Sequence, residues 1–127
     1  MVAMQRPVGQ AASLEAGVLT KATIRASERL AISQKVLGNI IGLSEAVISR
    51  MKNGEYVIAG GKSFELAVLF VRFYRSLDVI VGGDEAAARK WVKSNNLALE
   101  GTPIDLIQKV YGLIHVVQYL DSKRAVI

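Results

Sequence analysis

Several residue types that build metal and catalytic sites are scarce in this sequence. It has no cysteine, which excludes disulfides and zinc sites with thiolate ligands. It has a single histidine, His115, and its acidic residues are too scattered to suggest a catalytic pair. We therefore expect no catalytic residue, no metal and no cofactor, and we predict that the protein is not an enzyme. For His115, which lies among apolar residues, we expect a partly buried structural role.

Long hydrophobic runs are also missing. Arg72 and Arg75 interrupt the longest apolar region, so no segment approaches the ~20 residues that cross a bilayer. The first ten residues lack the apolar stretch of a signal peptide. We therefore expect a cytoplasmic protein that makes no membrane contact, and the 51% of hydrophobic residues suffices for a packed core.

The net charge of +5 is concentrated in the first half of the chain. Up to Lys62 there are eight basic residues against four acidic ones, whereas from Ser63 onward there are eight against seven. The first half could therefore attract an anionic polymer such as nucleic acid. The alternative is a positive charge that serves only solubility.

The apolar residues recur at helical spacing, and no alternating strand of useful length occurs, so we predict an all-α fold. We expect a flexible arm over residues 1–17, a first module over 18–77 and a second over 78–127. The predicted helices and their caps cover residues 19–30, 33–41, 44–53, 63–77, 84–93 and 102–120. Ser63, Asp84 and Thr102 are the expected caps of the last three, and we expect Gly112 to interrupt the final one.

The segment QKVLGNIIGLSEAVISRMKNG meets the requirements of a helix-turn-helix. Ser33 and Ser44 are suitable caps for its two helices. Gly38 provides the small residue where the helices cross, and Gly42 provides a turn residue that tolerates positive φ. The outward positions of the second helix carry short or polar side chains, which can approach base edges in a major groove.

These features predict DNA contacts at Gln34, Lys35, Ser44, Glu45, Ala46, Ser49, Arg50 and Lys52. The segment resembles the repressor-type helix-turn-helix of the Xre group, in which a glutamine often stands where Gln34 stands. Glu45 lowers affinity for phosphates unless it accepts a hydrogen bond from a cytosine amine. The alternative interpretation is a helical hairpin that packs but binds no DNA.

The last fifty residues show a more specific resemblance. They include Ala88-Arg89 before Trp91, the segment Gly101-Thr102-Pro103, and Gly112 ahead of the final apolar stripe. With the helix-turn-helix before them, they resemble the Xre/MbcA/ParS family of antitoxins over about Leu19 to Arg124. Departures from the family pattern, such as Glu100 in place of a glycine, fall in and around one loop.

This resemblance implies a type II antitoxin that neutralises a toxin with a RES domain, an enzyme that degrades NAD or uses it for ADP-ribosylation. It also implies repression of its own operon, and we expect a homodimer on operator DNA because one short helix reads too few bases. In the family, the C-terminal end covers the toxin's NAD pocket. The residues that we predict to bind toxin are Trp91, Tyr119, Lys123, Arg124, Ala125, Val126 and Ile127.

Four alternatives remain open from the sequence. The protein could be a stand-alone transcription regulator whose second half only dimerises, or an antitoxin without DNA binding. Trp91 could be a core residue instead of a contact. The hydrophobic end, Val126 and Ile127, could fold back on the last helix instead of entering a partner's pocket, where Lys123 and Arg124 would pair with acidic groups at the rim.

Overall fold

The computed structural model describes the backbone of residues 6–125 and the side chains of residues 14–125. This part of the chain forms seven helices: α1 (Arg6–Arg29), α2 (Gln34–Ile41), α3 (Glu45–Lys52), α4 (Gly61–Ile80), α5 (Glu85–Lys93), α6 (Pro103–Leu106) and α7 (Val110–Arg124). Within the described residues there is no strand, only an isolated bridge between Asn96 and Gly101. The predicted all-α fold is therefore confirmed.

The helix-turn-helix formed by α2 and α3 has the predicted caps. The Ser33 hydroxyl accepts a hydrogen bond from the Val36 amide and the Ser44 hydroxyl from the Val47 amide, each at 3.2 Å. Gly42 ends α2 with φ +76°, a conformation that glycine adopts without strain. A Cβ at Gly38 would overlap the carbonyl oxygen of Leu43, so only glycine permits this close crossing.

The first helix begins at Arg6, earlier than the predicted Leu19. Pro7 lies in its first turn, where a missing amide proton costs nothing, and alanine-rich sequence favours the helix after it. The apolar residues by which we predicted this helix fall at helical spacing only from Leu19 onward, so the sequence pattern marked the C-terminal half of α1 alone. The flexibility that we predicted for residues 1–17 stays a prediction, and residues 1–5 lie outside the described residues.

The central helix, α4, begins at Gly61 with Gly60 at its cap, so the prediction that Ser63 caps it was wrong. The Ser63 hydroxyl instead donates to the carbonyl oxygen of Gly42, 3.5 Å away, which joins α4 to the turn between α2 and α3. The helix continues to Ile80, past the predicted end at Leu77, and stops before two glycines with positive φ.

The core is arranged around α4, which packs against α1, α2, α5 and α7. Phe70 and Phe73 on α4 are fully buried. One connected set of buried apolar side chains extends from Ala26 on α1 to Leu120 on α7, and therefore joins both parts of the chain. The division at residue 77 stays a prediction, since α4 itself runs through that position.

The last helix runs through Gly112 without a break, contrary to our prediction. A Cβ at residue 112 would overlap the carbonyl oxygen of Leu106, so the glycine permits α6 to cross close to the start of α7. Asp84 caps α5 as predicted, accepting from the Ala87 amide at 3.1 Å. Thr102 precedes α6, but its hydroxyl makes no capping hydrogen bond.

Candidate functional site

The helix-turn-helix exposes most of the residues that we predicted to contact DNA. The exposed ones are Lys35, Ser44, Glu45, Ala46, Arg50 and Lys52. The two others, Gln34 and Ser49, are half-buried. Ser44 and Glu45 also have structural roles, because Ser44 caps α3 and the Glu45 carboxylate stands in the first turn, where it stabilises the helix dipole. The short side chains of Ser44 and Ala46 are exposed at the N-terminal end of α3 and permit close approach of another molecule.

Two cations near the end of α3 are positioned by neighbouring side chains. The Arg50 guanidinium lies 6.0 Å from the ring centre of Tyr56, within reach of a cation–π interaction. The Lys52 ammonium lies 3.8 Å from the Glu28 carboxylate of α1. Lys52 therefore has an acidic neighbour within the protein, whereas the neighbour found for Arg50 is an aromatic ring.

Arg89 on α5 connects the second part of the chain to the end of α1. Its Nε donates to the carbonyl oxygen of Arg29 at 2.7 Å, and a second nitrogen donates to that of Glu28 at 3.4 Å. Glu85, one turn earlier, pairs with the same guanidinium at 2.8 Å. The last carbonyls of a helix lack partners within it, so a cation there is favourable. We did not assign this role from sequence, although Arg89 belongs to the motif before Trp91.

Arg29 makes its own contact with α4. One of its guanidinium nitrogens donates to the Tyr74 hydroxyl at 3.2 Å. This hydrogen bond, followed by the electrostatic interaction with the tyrosine oxygen, raises the pKa of Arg29 above its ordinary value. Its guanidinium, like that of any arginine, is charged at every physiological pH.

Trp91 and Tyr119, two of the predicted toxin contacts, are half-buried against the core. The rings of Trp91 and Phe73 lie 6.5 Å apart between centres, so Trp91 contributes to packing and leaves part of its surface free. The Lys123 ammonium lies 5.5 Å from the ring centre of Tyr119. Aromatic and basic groups therefore adjoin on the last turns of α7.

The end of α7 is fixed against α4 by polar contacts. Arg124 donates to the Ser76 hydroxyl at 3.1 Å, and Ser76 in turn donates to the Asp121 carboxylate at 2.8 Å. Arg72 also pairs with Asp121. Lys123, Arg124 and Ala125 are exposed. The predicted contacts Val126 and Ile127 lie outside the described residues.

Apolar side chains are exposed on the second part of the chain at positions that we did not predict from the sequence. Leu97 is 87% exposed and Tyr111 is 86% exposed. Tyr111 and Ile114 lie on the outer face of α7, opposite its buried stripe. That opposition was available as a signal, because both positions fall outside the helical stripe that we assigned to the core.

Three further expectations concern the single histidine, metal sites and membrane-spanning helices. His115 is exposed, so the prediction of a partly buried histidine was wrong; it lies on the outer face of α7. Among the described residues, no three acidic or histidine side chains come together as a metal site. No helix of this part of the chain is both long and apolar enough to cross a bilayer.

Comparison with known protein families gives two matches in the order that the sequence predicted. Residues 9–72 match the antitoxin Xre-like helix-turn-helix domain. Residues 76–125 match the antitoxin Xre/MbcA/ParS C-terminal toxin-binding domain. No curated protein matches the chain.

Proposed function

The chain belongs to the Xre/MbcA/ParS antitoxin family, and on that premise we propose that it neutralises a RES-domain toxin and represses its own operon. A toxin-binding domain and a DNA-binding helix-turn-helix make it an antitoxin of a toxin–antitoxin system. We propose the class of toxin, the way in which it is inhibited, and the residues that contact the toxin and the DNA.

On the toxin side, the proposed contact runs along α7 and beyond it. The observation that carries this proposal is at the end of α7. The Arg124–Ser76 hydrogen bond holds the last turn on α4, while the side chains of Lys123 and Arg124 stay exposed. Because the last turn is already fixed before binding, less entropy is lost there when the residues after it enter a pocket. Val126 and Ile127 would then fill the apolar part of an NAD pocket.

The outer face of α7 extends this proposed contact. Tyr111 presents a large amphipathic surface, and such residues are common anchors in protein interfaces. Leu97 adds a second exposed apolar side chain from the loop before α6. Trp91 and Tyr119 contribute the parts of their rings that the core leaves uncovered. The proposed surface therefore has apolar anchors with Lys123 and Arg124 at one end.

On the DNA side, we propose that α3 enters the major groove of the operator. Support comes from the exposed Arg50 and from the small residues at the start of α3. Lys35 lies near the start of α2, where it can pair with a phosphate. One short helix contacts few bases, so we propose that a homodimer binds two half-sites.

Co-expression with the toxin tests the proposed inhibition. We expect that deleting residues 123–127 reduces rescue of growth and that the double variant Val126→Ser, Ile127→Ser does the same, because both remove the apolar tip. Ser122→Ala, which changes an exposed residue on the preceding turn, serves as the matched control and should rescue fully. Full rescue by the double variant and the deletion would show that the tail does not occlude the toxin.

A further inference from the structure

The loop of residues 96–101, which connects α5 to α6, is closed by its own hydrogen bonds. Asn96 and Gly101 exchange two backbone hydrogen bonds, of 2.8 Å and 3.2 Å, and the Asn96 side chain accepts from the Leu99 amide at 3.1 Å. The Leu99 side chain is 5% exposed and belongs to the core. The 96–101 loop is therefore ordered before any partner binds, so less entropy is lost when a contact immobilises it.

Leu97 presents an apolar side chain from this ordered loop. It is 87% exposed, whereas Leu99, two residues later, is buried. Folding leaves the Leu97 side chain in water, so it contributes little to the stability of the chain itself. Its removal from water by another molecule would be favourable, and the loop already holds it in position.

Glu100, on the same turn as Leu97, has a backbone conformation that favours glycine. Its φ is +58°, and in this left-handed region a Cβ approaches the following carbonyl oxygen. Its amide donates to the carbonyl oxygen of Leu97 at 3.3 Å. The Glu100 side chain is exposed and forms no ion pair with a basic side chain of the described part of the chain. No ion pair there compensates for the strain.

We propose that Leu97 and Glu100 select the toxin: Leu97 enters an apolar pocket on the toxin, and the Glu100 carboxylate pairs with a lysine or arginine beside that pocket. This inference rests on the proposed function, because it specifies the chemistry of the toxin surface. The 96–101 loop lies within residues 76–125, which match the toxin-binding domain. Strain that is retained at a residue without a compensating internal contact is typical of a position that serves binding.

Glu100 gives the proposed toxin contact charges of both signs. Lys123 and Arg124 are the exposed basic residues of its α7 part. A matching toxin presents acidic groups to the end of α7 and a basic group to the 96–101 loop, and a toxin with these charges exchanged is repelled at both places. Exposed ion pairs add modestly to affinity, so the main effect of Glu100 is on the choice of partner.

Isothermal titration calorimetry with the purified toxin, at low and at high salt, tests the two contacts separately. We expect Glu100→Gln to weaken binding about three- to fivefold at low salt and to have no effect near ~1 M salt, where the Debye length is about 3 Å. Leu97→Ser should weaken binding about tenfold at both salt concentrations, because an apolar contact is not screened. Glu55→Gln, an exposed carboxylate between α3 and α4, is the matched control and should bind as the wild type does.

Glu100→Gly distinguishes a role in binding from a role in folding. Because glycine relieves the left-handed strain, we expect this variant to raise the melting temperature by about 2–4 °C and to weaken toxin binding as Glu100→Gln does. A lower melting temperature in both Glu100→Gly and Glu100→Gln would show that the carboxylate is structural and would overturn the proposal.

Two further results would overturn it in different ways. Normal toxin binding by Glu100→Gln at low salt, or by Leu97→Ser, removes the 96–101 loop from the contact. The proposed function stands in that case if Val126→Ser, Ile127→Ser still fails to neutralise the toxin. If neither the loop variants nor that double variant affects the toxin, the inference and the proposed mode of inhibition both fail.

Discussion

The guanidinium of Arg89 donates to the carbonyl oxygen of Arg29, 2.7 Å away and sixty positions earlier in the chain. Through this bond, α5 of the toxin-binding region closes the last turn of α1. The residue before Arg29, Glu28, pairs with Lys52 on the helix that we propose reads DNA. The end of α1 is thus one of the places where the two regions of the chain meet through polar contacts.

Replacing Arg89 should therefore destabilise the whole chain. We expect Arg89→Met to lower the free energy of unfolding by about 1 kcal/mol, because the carbonyls of Glu28 and Arg29 lose a charged donor at an exposed site. Urea unfolding measures the change. Lys90→Met, an exposed neighbour on α5, is the control and should have an effect near zero; equal effects would contradict the role of Arg89.

Arg50 and Lys52 should contribute unequally to operator binding. Glu28 already pairs with Lys52, so we expect Arg50→Ala to weaken binding about tenfold and Lys52→Ala to weaken it less. Titration in gel-shift assays at several salt concentrations measures both effects. If Arg50 contacts a phosphate, its loss should also reduce the salt slope by about one unit. Wild-type affinity in Arg50→Ala would exclude the proposed contact.

Tyr111 should matter for toxin binding and not for folding. Since its side chain is 86% exposed, we expect Tyr111→Ala to keep the wild-type melting temperature and to weaken the toxin complex about tenfold. Isothermal titration calorimetry with the toxin measures the affinity. Val57→Ala, an exposed apolar residue between α3 and α4, is the matched control. A Tyr111→Ala variant that binds toxin normally would remove the outer face of α7 from the contact.

Gly112 should be intolerant of any side chain. A Cβ there meets the backbone carbonyl of Leu106, which cannot move without displacing α6. We expect Gly112→Ala to lower the free energy of unfolding by about 2 kcal/mol or more, even though alanine is the better helix former. Gly17→Ala, in a helix with open space around it, should be neutral or slightly stabilising by comparison.

The helix-turn-helix was predicted closely because its determinants are local. Ser33 and Ser44 cap helices by accepting hydrogen bonds from amides three residues away. Gly42 adopts the positive φ that the turn after α2 requires. Such short-range requirements appear directly in the sequence. The long helix before them was predicted less well, because much of α1 forms without the apolar stripe by which we recognised helices.

The long-range contacts could not be predicted from local pattern. Gly112 resembled a helix interruption because its partner, the Leu106 carbonyl, becomes its neighbour only when α6 crosses α7. Arg89 was only part of the motif before Trp91, because the Arg29 carbonyl to which it donates becomes its neighbour only in the folded chain. For the proposed contacts of residues 123–127, the role in toxin binding came from the resemblance to known antitoxins. The residue types themselves were only compatible with that role.

The shared core has a consequence for how such proteins exchange partners in evolution. A recombination between relatives at residue 77 would join two parts of α4 from different parents. It would also place Phe73 from one parent against Trp91 from the other. If α3 and α7 make the contacts that we propose, new combinations of operator and toxin specificity should therefore arise more readily by substitution on their exposed faces. Hybrid proteins made in the laboratory will fold best when α4 and α7 come from the same parent.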